Sequence, residues 1–241
     1  MYFLRISGII RQYYLDGVFT LGKLIVIEGI DGSGKSTQFE LLCEKLSEQS
    51  REFRCLSFPR YDEPSSMLIR MYLNGDFGEN PDDVNAYAAS SFFAADRYAS
   101  FVQDWGEYYK SGGLILTDRY TTSNALHQGA KMEYGQRRQF FKWLYEYEYE
   151  LIALPKPDMV FYMNIDVSTA AERMSERRAK DGSLADIHEQ DLSYLESCAQ
   201  SGLQAASQFG WYVVDCINED GVRSSGDIHE EVFKRLLCLI G

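Results

Sequence analysis

Long apolar runs are missing from this chain. None of its 241 residues fall in a stretch of about 18 or more apolar residues, so no segment reads as a membrane-spanning helix. Cations are also scarce, with 24 Lys+Arg against 36 Asp+Glu and a formal net charge of -12. No broad basic field can then hold a nucleic-acid backbone, and an anionic ligand has to be caught by a local cluster of arginines and backbone amides. The cysteines (Cys43, Cys55, Cys198, Cys216, Cys238) are odd in number, widely spaced and never C-x-x-C, and the three histidines form no H-E-x-x-H. This excludes the commonest dithiol and zinc signatures and fits a reduced, cytoplasmic setting. With five prolines there is no Pro-rich linker, and no repeat or low-complexity tract occurs, so a single domain is the economical organisation. Residues 1–21 hold Arg5, Arg11 and Asp16 among short apolar pieces, which makes a poor secretory signal. They are expected to be an extension of unreadable role ahead of a domain over 22–241.

What is present begins with Gly29-Ile30-Asp31-Gly32-Ser33-Gly34-Lys35-Ser36, which fits G-x-x-x-x-G-K-[ST] and continues into Thr37. The apolar run Leu24-Ile25-Val26-Ile27 before it reads as a buried strand, and 38–48 after it reads as a helix, the context a phosphate-binding loop requires. The glycines let backbone N–H groups turn in on phosphate oxygens, and the helix N-terminus adds partial positive charge. Lys35 would reach the β and γ phosphates of ATP, and the Ser36 hydroxyl would ligate Mg²⁺. A glycine-rich surface turn beside a helix cap is the plainer alternative.

Short apolar runs alternate with longer helical patterns along the rest of the chain. Strands are predicted at 24–28, 54–58, 114–118, 159–165 and 211–215. Helices are predicted at 86–109, with Ala88, Phe92, Ala95, Ala99 and Val102 on its core side, at 136–151, at 167–180 with Ser168 as N-cap, and at 228–239. This predicts an α/β protein, a three-layer P-loop fold with a five-stranded parallel sheet flanked by helices. The predicted third strand ends in Asp118, followed by Arg119 and Tyr120. In an open α/β sheet the strand ends carry the site, so Asp118 should face the same crevice as the glycine loop, where it can hold Mg²⁺. Arg119 can fork onto a phosphate. A surface Asp-Arg pair is the alternative. The segment 173–180 places four cations in eight residues ahead of Asp181-Gly182-Ser183 and could close over ATP as a lid, about 173–190, although a solvated helix face is the usual meaning of such a run.

Over residues 23–215 these motifs resemble the thymidylate kinases. The loop from Glu28 to Thr37, Phe58-Pro59-Arg60-Tyr61, Phe92-Phe93-Ala94-Ala95-Asp96-Arg97, Asp118-Arg119-Tyr120 with Ser123-Asn124, and Leu154-Pro155-Lys156-Pro157-Asp158 are each similar to a segment of that family. The resemblance implies a kinase that transfers the γ-phosphoryl of Mg·ATP to dTMP, in a homodimer. It implies that Phe93 stacks on thymine, that Arg97 donates to a base carbonyl, that Asn124 pairs with the base edge, and that Asp31 accepts from the 3′-hydroxyl and holds Arg119. Tyr61 and Arg119 would meet the acceptor phosphate, with Phe58, Arg60, Ser123, His127 and Gln128 also in the substrate site. Gly32 stands where some members carry a catalytic arginine in the loop, so that arginine is expected from the lid, from Arg173, Arg177 or Arg178. Asp186 and Glu189 resemble lid-following acids, Glu189 with a place at the metal. His127 departs from the tyrosine that many relatives have beside the sugar. Another nucleoside monophosphate kinase, for UMP, CMP or dUMP, and a nucleotide-dependent switch remain the alternatives, and the absence of N-K-x-D argues against a GTPase.

Overall fold

The computed structural model describes residues 21–181 and 192–241. Strand β1 (Lys23–Glu28) leads through the glycine loop into α1 (Lys35–Glu48), which is followed by β2 (Arg54–Ser57) and the short α2 (Met67–Leu73). Next come α3 (Ala86–Ser100), a widened π-helical turn (Phe101–Trp105), α4 (Gly106–Lys110) and β3 (Leu114–Asp118). The chain continues through α5 (Thr121–His127), α6 (Tyr134–Tyr145), a second π-helical turn (Glu146–Leu151) and β4 (Met159–Asn164). It closes with α7 (Val167–Asp181), α8 (Leu192–Phe209), β5 (Tyr212–Asp215), the hairpin β6 (Ile217–Asn218) and β7 (Gly221–Val222), and α9 (Ser225–Ile240).

The five main strands pair in the order β2-β3-β1-β4-β5, all parallel, as expected from the alternating pattern. Right-handed crossovers put α1 on one face, where it packs against α9, and put α3, α5, α6 and α8 on the other. Leu24 to Ile27 are fully buried because β1 lies in the middle of the sheet and is covered on both sides. The edge strand β2 stays half open. Ile27 of β1 is level with Asp118 of β3, so the glycine loop and the Asp118-Arg119 turn leave the sheet side by side.

Several local expectations are corrected. The expected core side of α3 holds only in part: Ala88 and Phe92 are half-buried against the cluster of Tyr72, Val84 and Ala89. Ala95 and Val102 are exposed, and the fully buried residues are Ala86, Ala89, Ser90, Ala94, Asp96, Arg97 and Ser100. That face is small and polar because Ala86 and Ala89 pack closely into apolar clusters, Asp96 and Ser100 hold Arg60, and Arg97 lines a cavity, none of which hydrophobic periodicity reports. The widened turn after it returns Trp105 to the core. Asp166, not Ser168, caps α7: its Oδ1 accepts from Thr169 N at 2.8 Å, while the Ser168 hydroxyl donates back to the same carboxylate. Helices α2, α5 and α8 were not foreseen. Cys43 of α1 and Cys55 of β2 are brought face to face with Cα atoms 7.2 Å apart, a pairing that sequence spacing cannot show because the first crossover makes it. Cys198, Cys216 and Cys238 are free. Among the described residues no helix is long and apolar enough to cross a membrane.

Candidate active site

The glycine loop is shaped by close packing as well as by phosphate chemistry. Gly32 adopts φ +80°, and a Cβ there would lie 2.2 Å from the Ala170 carbonyl oxygen of α7, so a larger residue at this position would push the lid helix away. Gly34, at φ +90°, hands the chain into α1, whose first two residues are Lys35 and Ser36. A cavity of about 310 Å³ opens over this turn, lined by Gly32 to Gln38 on one side and by Arg173, Met174, Arg177, Cys216, Arg223, Ser225 and Ile228 on the other. Gly29 and Ile30 sit at the base of the loop and do not line it. Arg173 Nη1 reaches toward the Gly32 carbonyl at 3.5 Å.

The turn after β3 supplies the facing wall. Ser36 Oγ donates to Asp118 Oδ2 at 3.1 Å, and Asp118 Oδ1 is buried with no hydrogen-bond partner among the described residues. Arg119 takes a left-handed backbone conformation, φ 67°, stabilised by its N–H on the Ile27 carbonyl at 3.1 Å and by Thr117 Oγ1 donating to its own carbonyl at 2.8 Å. The guanidinium is thereby turned back onto the loop, where Nη2 donates to Asp31 Oδ1 and Nη1 lies 3.0 Å from His127 Nε2. Lys35 Nζ donates to the same Asp31 oxygen at 2.9 Å. Burial opposes charge on Asp31, but the Arg119 and Lys35 cations outweigh it and hold the carboxyl well below the usual carboxylate range. Behind this pair lies Glu28, fully buried. It accepts from Gly29 N at 2.9 Å, from Thr122 Oγ1 at 2.6 Å and from Ser123 Oγ at 2.8 Å, and burial raises its carboxyl despite Arg119 and those donors.

A second cavity, about 320 Å³, lies beside Asp31 and Arg119. It gathers Phe58, Tyr61, Phe93, Arg97, Ser123, Asn124, His127 and Gln128, which the sequence places in three separate segments. Phe93 presents its ring to this space with Tyr72 edge-on behind it, centroids 6.4 Å apart. Arg60 is not brought in. Its guanidinium turns away to Ser100 Oγ at 3.1 Å and Glu63 Oε1 at 3.0 Å, while its backbone N–H is held by Asp96. Arg97 is fixed by Glu148, with Nε and Nη2 donating to the two carboxylate oxygens at 2.7 and 2.6 Å. Asn124 Nδ2 is committed to Ser90 O and to Glu148 Oε1, each at 3.2 Å, which leaves its carbonyl oxygen for a ligand. Gln128 is fully buried, and neither of its amide atoms has a partner among the described residues. Arg177 lines both cavities, so the lid helix stands at their junction. Glu189 and Asp186 lie outside the described residues, as does the lid beyond 181.

The chain belongs to the thymidylate kinase family. The family's sequence model matches residues 27–223. The thymidylate kinase of Mycobacterium tuberculosis (strain CDC 1551 / Oshkosh) is 30% identical over 190 residues, covering 78% of this chain and 87% of that protein. The thymidylate kinase of Afipia carboxidovorans is 32% identical over 218 residues, covering 89% and 90%. The solved structure of thymidylate kinase from Candida albicans superposes with a TM-score of 0.69 at 24% identity, over 90% of this chain and 92% of that one, a likeness of fold. Membership makes this an enzyme that phosphorylates dTMP, with ATP as phosphate donor. Glu148 lies outside every motif of the thymidylate kinase resemblance, and Glu28, although it opens the loop motif, takes no role from it. Glu148 stands in the run Tyr145-Glu146-Tyr147-Glu148-Tyr149-Glu150, where three equivalent acids alternate and only the widened turn selects the buried one.

Proposed function

We propose that ATP binds over the glycine loop and dTMP in the Phe93 cavity, so that the two nucleotides meet end to end beneath Arg177. The observation that carries this reading is that Arg177 lines both cavities while Asp31, Lys35 and Arg119 form one hydrogen-bonded cluster between them. An oxygen of the dTMP 5′-phosphate attacks the γ phosphorus, a P–O bond forms, and the bond to the bridging β oxygen breaks, leaving dTDP and ADP. The attacking oxygen is already ionised, so no protein base is required. The contribution of the protein is placement and charge: Lys35, Arg119 and Arg177 face the developing negative charge, with Arg173 on the donor side of the loop. Ser36 and Asp118 fit a Mg²⁺ site, because a hydroxyl and a carboxylate already approach each other and one carboxylate oxygen is buried with no partner among the described residues. The ion there supplies neutralisation of the β and γ phosphate charge.

In the acceptor cavity Phe93 stacks on the base, and Arg97, pinned by Glu148, offers its remaining N–H groups to a base carbonyl. Gln128 brings the donor-acceptor pair that a base edge requires, more completely than Asn124, whose amide nitrogen is already engaged. Asp31, Tyr61, Ser123 and His127 surround the sugar and phosphate. The same reading includes a cytoplasmic homodimer, an assignment that rests on the family resemblance. A solution mass equal to one chain would reject the dimer.

The test is a coupled assay of ADP release over dTMP, dUMP, UMP and CMP. Turnover highest with dTMP supports the assignment of the cavity, and equal ADP release with and without any monophosphate would sink it.

A further inference from the structure

Arg119 is held at two of its nitrogens by groups of different charge. Nη2 donates to the Asp31 carboxylate, and Nη1 lies 3.0 Å from His127 Nε2. A guanidinium has donors only, so Nε2 must present its lone pair and the ring proton must sit on Nδ1, which faces Cys198 Sγ at 3.6 Å. The Asp31 carboxylate nearby favours an imidazolium, but the groups that face the two ring nitrogens suit a neutral ring. Arg119 stands in front of it, and behind it burial keeps the Cys198 thiol protonated, so it offers no anion to balance an imidazolium. The ring is also held in place: His127 is 7% exposed, and its carbonyl accepts from Tyr194 OH at 2.7 Å.

A single contact to Asp31 would leave the guanidinium free to swing about that hydrogen bond. A second acceptor on the other nitrogen defines its plane. Because this acceptor is neutral, it orients the cation without offsetting its charge, which a carboxylate in the same place would do.

We propose that His127 is a positioning residue for phosphoryl transfer, whose unprotonated Nε2 sets the plane of the Arg119 guanidinium against the acceptor phosphate. This rests on the assignment of Arg119 above and extends it. The resemblance to relatives placed His127 only as a neighbour of the sugar; the geometry points to an action through Arg119.

Two measurements test the proposal. Nitrogen-15 imidazole spectra of the wild-type protein at neutral pH should show His127 with a bare Nε2 and a protonated Nδ1. A ring protonated at Nε2 would overturn the proposal, and this arm does not depend on which monophosphate is the substrate. In steady-state kinetics, H127L should lower kcat about tenfold or more while KM for ATP stays within about twofold, the pattern of a lost orientation. H127Q, whose amide oxygen can accept where Nε2 does, should recover most of the loss. Equal impairment of H127Q and H127L would overturn the proposal. If H127L does not fold, the spectra and H127Q decide. Failure of the wild-type enzyme to act on dTMP would count against the functional reading instead, leaving the tautomer to be read separately.

Discussion

Arg97 meets Glu148 through two parallel hydrogen bonds, Nε to Oε2 and Nη2 to Oε1, and neither side chain is more than 2% exposed. The pair also organises its neighbours, since Thr121 Oγ1 donates to Glu148 Oε2 at 2.7 Å and Asn124 Nδ2 to Oε1. One carboxylate therefore sets the position of the arginine and the asparagine that line the Phe93 cavity. Removing one partner of a buried pair strands the other charge, whereas replacing both with apolar groups is often neutral.

Glu148→Gln should destabilise the protein by about 3–5 kcal/mol in urea denaturation and raise KM for dTMP with little change for ATP. The double replacement Arg97→Met with Glu148→Leu should recover stability but not dTMP affinity. Recovery of both would show that the pair serves the fold alone.

Arg119→Lys should behave almost as badly as Arg119→Ala, because a lysine cannot span Asp31 and His127 with a planar fork. A fall of about 10²–10³ in kcat is expected, with ATP affinity little altered. Small and equal losses in kcat and ATP affinity would contradict the assigned role.

The two lid arginines should separate kinetically. Arg177→Ala, at the junction of the cavities, should lower kcat by about 10² or more. Arg173→Ala, near the Gly32 carbonyl on the donor side, should mainly raise KM for ATP. The reverse pattern would exchange their roles.

Gln128→Leu should leave the free enzyme as stable as wild type or more so, because a buried amide with both atoms unpaired costs about 1–3 kcal/mol that a similar apolar side chain does not. The same change should raise KM for dTMP. Lower thermal stability with unchanged KM would reject the role of Gln128 at the base edge.

The stability conferred by the charged Asp31 cluster should depend on pH. Its folded carboxyl lies below the unfolded value of about 3.9, so the contribution is complete above that value and is lost as pH falls through the folded one. Urea midpoints taken from about pH 5 downward should therefore fall less steeply for Asp31→Asn than for wild type. Identical slopes would remove Asp31 from the acid-sensitive groups.

Much of the phosphate half of the site was legible because it is local. A strand, a glycine turn and a helix start lie within a few residues of one another, and the acid at the end of β3 follows from where strands end in a parallel sheet. Phe93 and Arg97 share a helical face by their spacing, yet the core side of that helix could not be read. Its inward residues are small or charged, and the partners that explain their burial, Arg60 for Asp96 and Ser100 and Glu148 for Arg97, come from other segments. Arg60 lies in a motif beside Phe58 and Tyr61, but its backbone direction sends it to Ser100 and Glu63.

The sequence by itself determined the five parallel strands, the phosphate loop and the family, because each is written in contiguous residues whose spacing has a direct geometric meaning. Only the tertiary structure decided which acid pins Arg97, that His127 backs Arg119, that Arg177 stands between the cavities and that Cys43 meets Cys55. Arg97 and Glu148 are 51 positions apart, Arg119 and His127 are 8 apart, Cys43 and Cys55 are 12 apart on different elements, and Arg177 lines two cavities at once. Such pairings depend on how helices are rotated as they pack on the sheet, and a one-dimensional pattern does not encode that rotation.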